Sequence, residues 1–136
     1  MQTIQQFIAS HHIKMDVDYA PNNPNMGSDE KWMAAANHYK CTFHRKGKRL
    51  TTYFSQGCGI TREPTTADVL NCLALDTAGI ENARSFEEWC GEYGYDTDSR
   101  KAEKIWKVCQ RQAEKLKAFI DDHKAFQSLL FDTESL

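Results

Sequence analysis

A chain of 136 residues with 40% hydrophobic and 26% charged side chains suits one soluble domain, 1–136. That composition excludes a membrane-spanning, collagenous or low-complexity chain. A formal net charge of -2 and a pI near 6.2 argue against a dedicated duplex-DNA binder, whose affinity comes largely from cations set against phosphate.

The opening residues, MQTIQQFIASHHIKM, lack a basic region followed by an apolar one, so we expect a cytosolic protein with reduced thiols. Thr3 and Gln6 have capping-box spacing and predict a short helix with Ile4, Phe7 and Ile8 on one face. Ile13, Met15, Val17 and Tyr19 then alternate with Lys14, Asp16 and Asp18, the period of a half-buried strand. Residues 21–27 are dense in Pro, Asn and Gly and predict a loop. Ser28, Asp29 and Glu30 follow as the start of a helical turn carrying Trp32 and Met33.

Residues 38–56 predict an antiparallel hairpin. Tyr39, Cys41 and Phe43 alternate on one side of a Lys46-Gly47 turn, and Leu50, Thr52 and Phe54 on the other. The strand at 13–19 is expected to join them in a sheet of about three strands. After Gly59 the period changes to 3.6. Thr65 and Asp68 form a second capping box, opening a helix with Val69, Leu70, Leu73 and Leu75 and with Gly79 as its stop. Ser85 to Glu88 open a third helix bearing Phe86, Trp89 and Cys90, with Gly91 and Gly94 ending it. Trp89 and Trp106 stand at core positions. The longest helix, 99–120, carries Ala102, Ile105, Trp106, Cys109, Ala113, Leu116 and Ile120 at helical spacing. A short last helix holds Phe126, Leu129, Leu130 and Phe131. Strands followed by helices predict an α+β fold: an antiparallel sheet in the N-terminal half packed against three to four C-terminal helices.

Charge is unevenly spread. Between Asp76 and Asp98 there are seven acids and one base, Arg84, a sum of -6. Glu87, Glu88, Glu92, Asp96 and Asp98 read as an acidic surface able to imitate a phosphate path. Tyr93 and Tyr95, flanking Gly94, read as anchors on it. Helix electrostatics is the plainer account, because Glu87 and Glu88 lie in a first turn and Asp96 and Asp98 near a helix start. The hairpin is basic. Lys40, Arg45, Lys48 and Arg49, with Tyr53 sharing the outward face of Arg49, predict an alternative nucleic-acid surface. Pairing of these charges with Asp16 and Asp18 is its plainer account. Lys101, Lys104, Lys107, Arg111, Lys115 and Lys117 form a solvated basic face on the longest helix.

Catalytic and metal chemistry are thinly supported. Cys41 and His44 form a C-x-x-H pair, yet three positions along a strand put them on opposite faces. His11 and His12 diverge similarly. No C-x-x-C pair occurs. Cys58, between two glycines, is the best nucleophile candidate and has no signature around it. We expect no metal, no cofactor and no catalytic set.

The stretches TYFSQGCG, EPTTADVLNCLALDTAGIENARSFEEWCGEYGYDTDSRKAEKIWK and RQAEKL together resemble a family of small accessory proteins encoded by bacteriophages, prophages and mobile elements. The resemblance covers roughly residues 10–131 and brings no catalytic motif to transfer. It implies a counter-defence role of the anti-CRISPR type: a non-enzymatic inhibitor in the host bacterial cytoplasm that binds a host protein or ribonucleoprotein complex, a CRISPR effector foremost. The acidic segment agrees with that expectation.

Overall fold

The computed structural model describes residues 3–19, 39–54 and 63–134, so the expected loop at 21–27, the turn bearing Trp32 and Met33, and Cys58 lie outside the described residues. The fold is α+β, with a three-stranded antiparallel sheet and five helices among the described residues. Contacts gather the chain into two compact units, residues 2–70 and 71–136.

In the first unit, α1 (Ile4–Ser10) opens on a complete capping box. The Thr3 hydroxyl accepts from the Gln6 N–H at 3.1 Å, and the Gln6 side chain accepts from the Thr3 N–H at 2.8 Å. Phe7 is the buried residue of this helix, and His11 stacks on it with ring centroids 4.1 Å apart. His12 takes a left-handed φ of 54°, and the Ile13 N–H returns to the Ile8 carbonyl at 3.0 Å. The chain then enters β1 (Lys14–Tyr19), followed by β2 (Tyr39–Arg45) and β3 (Lys48–Phe54), in sheet order β1-β2-β3. Lys46 and Gly47 join the hairpin with φ of 49° and 79°. Positive φ at both central residues is what a type I′ turn requires, and its twist matches that of the strands.

Register assigns every strand residue to a face. Val17, Cys41 and Thr52 lie abreast, as do Met15, Phe43 and Leu50. Cys41, Phe43, Leu50, Thr52 and Phe54 are buried. The opposite face carries Asp18, Lys40 and Tyr53 abreast, then Asp16, Thr42 and Thr51, then Lys14, His44 and Arg49. Two strand positions depart from the alternation. Tyr19, on the apolar parity, is 66% exposed and meets Tyr39 edge-to-face at the sheet margin. Tyr53, on the polar parity, is buried.

Thr65 caps α2 (Thr66–Asn82) as its spacing predicts. Its hydroxyl accepts from Asp68 N–H at 3.2 Å, and its own N–H donates to the Asp68 carboxylate at 2.8 Å. Val69 and Leu70 are buried in the first unit, whereas Leu75, expected on the apolar stripe, is exposed. Gly79 does not stop α2, which continues to Asn82.

The second unit contains the rest of α2, then α3 (Phe86–Tyr93), α4 (Arg100–Ile120) and α5 (His123–Glu134). Side-chain oxygens cap three of these starts. Ser85 accepts from Glu88 N–H, Ser99 from Ala102 N–H, and Asp122 from Ala125 N–H, at 3.1 to 3.2 Å. Gly91 lies inside α3, and it is Gly94, left-handed at φ 75°, that ends the helix. The Tyr95 N–H then closes back on the Cys90 carbonyl at 2.8 Å, the long bond of a Schellman ending. On α4 the buried stripe is Ala102, Val108, Gln112, Ala113, Leu116, Phe119 and Ile120, with Ile105, Trp106 and Cys109 half-buried at its edge. The last helix is longer than its apolar run predicts. Phe126, Leu129 and Leu130 are buried, while Phe131 is 64% exposed.

Candidate functional site

Trp89 organises the α3 region. It is 4% exposed and forms a core with Cys90 and Ala102, against which Ile80, Ala83, Phe86, Ile105 and Trp106 pack. Four rings surround its indole. Trp106 lies at 5.3 Å between centroids, Phe86 at 6.3 Å, Tyr93 at 5.6 Å and Tyr95 at 5.0 Å. Tyr95 is nearly parallel to Trp89, at 11°. Such pairs contribute about 0.5–1.5 kcal/mol beyond the area they bury. The two tyrosines therefore cover the indole and also face solvent, at 48% exposed for Tyr93 and 38% for Tyr95.

The local sequence explains this placement. Trp89 and Tyr93 are four residues apart and share a helix flank. Gly94 reverses the chain through a conformation open to a residue without Cβ, and that reversal returns Tyr95 onto the same indole. Tyr93 then lies across α2 with its hydroxyl against Gly79. A Cβ at Gly79 would stand 2.8 Å from Tyr93 Cζ and closer still to the hydroxyl. The close approach, rather than a helix end, is what places glycine there.

Beside this contact lies a cavity of about 450 Å3. Leu75, Ala78, Gly79 and Asn82 line it from α2, and Glu88, Glu92 and Tyr93 from α3. The acidic and aromatic residues expected to bind a partner are therefore only partly gathered. Glu88, Glu92 and Tyr93 share the cavity, and Tyr95 joins them through Trp89. Glu87 is exposed but about 100° around α3 from Glu88. Asp96 and Asp98 are exposed in the turn before α4, where an Asp96 carboxylate oxygen accepts from the Asp98 N–H at 3.0 Å. Sequence reasoning missed the α2 side of the cavity, above all Asn82 and Leu75. The one signal for it was a glycine inside a helical run.

The basic hairpin does not form the surface expected of it. Arg45 and Lys48 pair on the core-side face, and Arg45 is 8% exposed, so they stand apart from Lys40 and Arg49 on the other face. Tyr53, the expected stacking ring, is 7% exposed and offers no open face to a base. One cross-strand pair does form, from His44 Nε2 to the Asp16 carboxylate at 2.8 Å, between partly exposed groups. On α4 the six expected cations and Arg100 are all exposed, and Lys107 pairs with Glu103 at 3.1 Å.

Of the four described thiols, Cys41, Cys90 and Cys109 are poor nucleophiles. Burial, with the charges of Asp18 and Glu63 adding to it, pushes Cys41 up to about 11. Burial and Asp76 push Cys109 up to about 12. Cys90 is raised by burial and then by Glu87 and Asp96. A thiol held protonated neither attacks nor binds metal readily. Cys41 and His44 occupy opposite faces of β2, and among the described residues no group of three His, Cys, Asp or Glu side chains is poised to hold a metal ion. Among the same residues no helix is long and apolar enough to cross a membrane.

No family model, no curated protein and no solved structure matches the chain.

Proposed function

We propose that this chain is a binding protein, acting by occupancy and not by turnover. It docks the α3 side of its second unit onto a basic surface of a host complex that handles nucleic acid. The observation that carries this reading is the joining of two exposed carboxylates, Glu88 and Glu92, to two half-exposed tyrosines set on a buried tryptophan. Tyrosines held on a rigid support lose little freedom on docking and are favoured interface anchors. Carboxylates around them steer approach to a basic partner and fix orientation more than they add affinity. The resemblance to phage accessory proteins supports a CRISPR effector in the host cytoplasm as that complex. Glu87, Asp96 and Asp98 extend the acidic field beyond the cavity and complete the imitation of a phosphate path.

The test is capture of effector subunits from host lysate by tagged protein, with and without nuclease. Nuclease-resistant capture is expected, and the Glu88→Lys/Glu92→Lys/Asp96→Lys variant is expected to lose it while its circular dichroism matches the wild type. Undiminished capture by the folded variant overturns the reading. Capture that vanishes with nuclease transfers the function to a nucleic-acid contact.

A further inference from the structure

The cavity between α2 and α3 differs from a merely acidic surface because apolar and aromatic side chains line it beside the acids. Its volume of about 450 Å3 falls within the range of small-ligand pockets, roughly 300–1,000 Å3. Leu75 and Ala78 give it an apolar lining, Tyr93 an aromatic wall, and Glu88 and Glu92 two carboxylates. The two glutamates are one helical turn apart, which sets their Cβ atoms about 5–6 Å from each other. Among the described residues neither carboxylate is engaged in an ion pair. Both are exposed.

We infer that this cavity receives an arginine side chain presented by the partner protein, its guanidinium between Glu88 and Glu92 and its stem along Leu75 and Ala78. This inference rests on the reading of the α3 side as the docking face, and it names what that face recognises. Charge complementarity selects a cation, and shape selects arginine over lysine. A guanidinium is planar and presents five donors in a fork, enough to address two carboxylates at once. It is more weakly hydrated than an ammonium, so leaving water for a half-open cavity costs it less. Its flat face can lie against the exposed part of the Tyr93 ring, and its methylene stem can cover apolar side chains. Gly79 and Tyr93 fix the wall in place, because the hydroxyl rests directly on the glycine backbone. Asn82 lines the cavity as well.

The probe is N-acetyl-arginine methylamide. Its neutral isostere, N-acetyl-citrulline methylamide, serves as control. Both are titrated to about 50 mM into the full chain and followed by amide NMR, since one side chain alone binds in the millimolar range or weaker. The expected result is a set of shifts confined to the C-terminal half of α2 and to α3, with the citrulline compound at least about tenfold weaker. The Glu88→Gln/Glu92→Gln variant is expected to bind the two compounds alike while its spectrum elsewhere matches the wild type. Equal binding of both compounds by the wild type, shifts centred elsewhere, or no shifts at all overturn the inference. If effector capture survives charge reversal while the arginine compound still selects the cavity, the docking face falls and the guanidinium site stands. If capture depends on the acids but the arginine compound ignores the cavity, this inference falls alone.

Discussion

Gly79 sits in the interior of α2, where alanine ordinarily stabilises a helix by about 1 kcal/mol. Here the sign reverses, because an added methyl collides with Tyr93. Gly79→Ala is expected to destabilise the second unit by about 1–3 kcal/mol in urea unfolding. In a Tyr93→Ala background the same substitution is expected to become neutral or stabilising, and additivity of the two changes would disprove the contact. Asp76 supplies a pH-dependent counterpart. Burial pushes its carboxyl up to about 6 from an ordinary 3.8, although part of the side chain still meets solvent. A raised carboxyl means the folded state binds the extra proton. Stability is therefore lost as pH rises from the unfolded value through 6, and the penalty is constant above that. Asp76→Asn should raise stability at neutral pH by on the order of 1 kcal/mol or less, discounting for solvent screening, and by nothing below about pH 3. A stabilisation that persists in acid would refute that assignment.

At the scale of elements, starts were more legible than ends. Thr3, Thr65 and Ser85 all cap the helices their spacing predicts, because a cap is a contact between near neighbours in the chain. Ends were misread where glycine served another purpose. Gly79 makes room for a ring from α3, and Gly91 is simply interior, while Gly94 alone adopts the left-handed ending. The hairpin was legible as two alternating strands about a Lys46-Gly47 turn, and the structure supplies their register. Gly47→Ala, at φ 79°, is expected to destabilise the hairpin by about 1 kcal/mol in thermal unfolding, and Gly47→Asn by less, since asparagine tolerates that region better. Equal cost for the two would mean that backbone conformation is not what selects glycine. What alternation does not reveal is which polar-parity residue gets covered. Tyr53 is buried although it stands on the polar parity, and period-2 reasoning has no access to that.

For the molecule as a whole, charge is segregated within one unit. The segment from Asp76 to Asp98 sums to -6, while α4 holds seven exposed cations. The acidic residues and the Tyr-Gly-Tyr turn were legible as a segment. The cavity was not, because it exists only once α2 lies beside α3, a relation between residues such as Leu75 and Glu92 that no local spacing encodes. The triple charge reversal tests this scale, and it has a kinetic signature. If the acids chiefly steer approach, raising salt from about 50 to about 500 mM should slow association by about tenfold and leave dissociation nearly unchanged. A salt effect confined to dissociation would instead place the acids inside the contact.

The Trp89 cluster has a consequence for observing the molecule at work. Two indoles with centroids 5.3 Å apart exchange excitation, and the two tyrosines against Trp89 pass theirs to it. Whatever settles over Tyr93 and Tyr95 alters the polarity and quenching around the ring they cover. The α3 side thus carries its own optical gauge, and its occupancy can be followed in unlabelled protein by the light it emits.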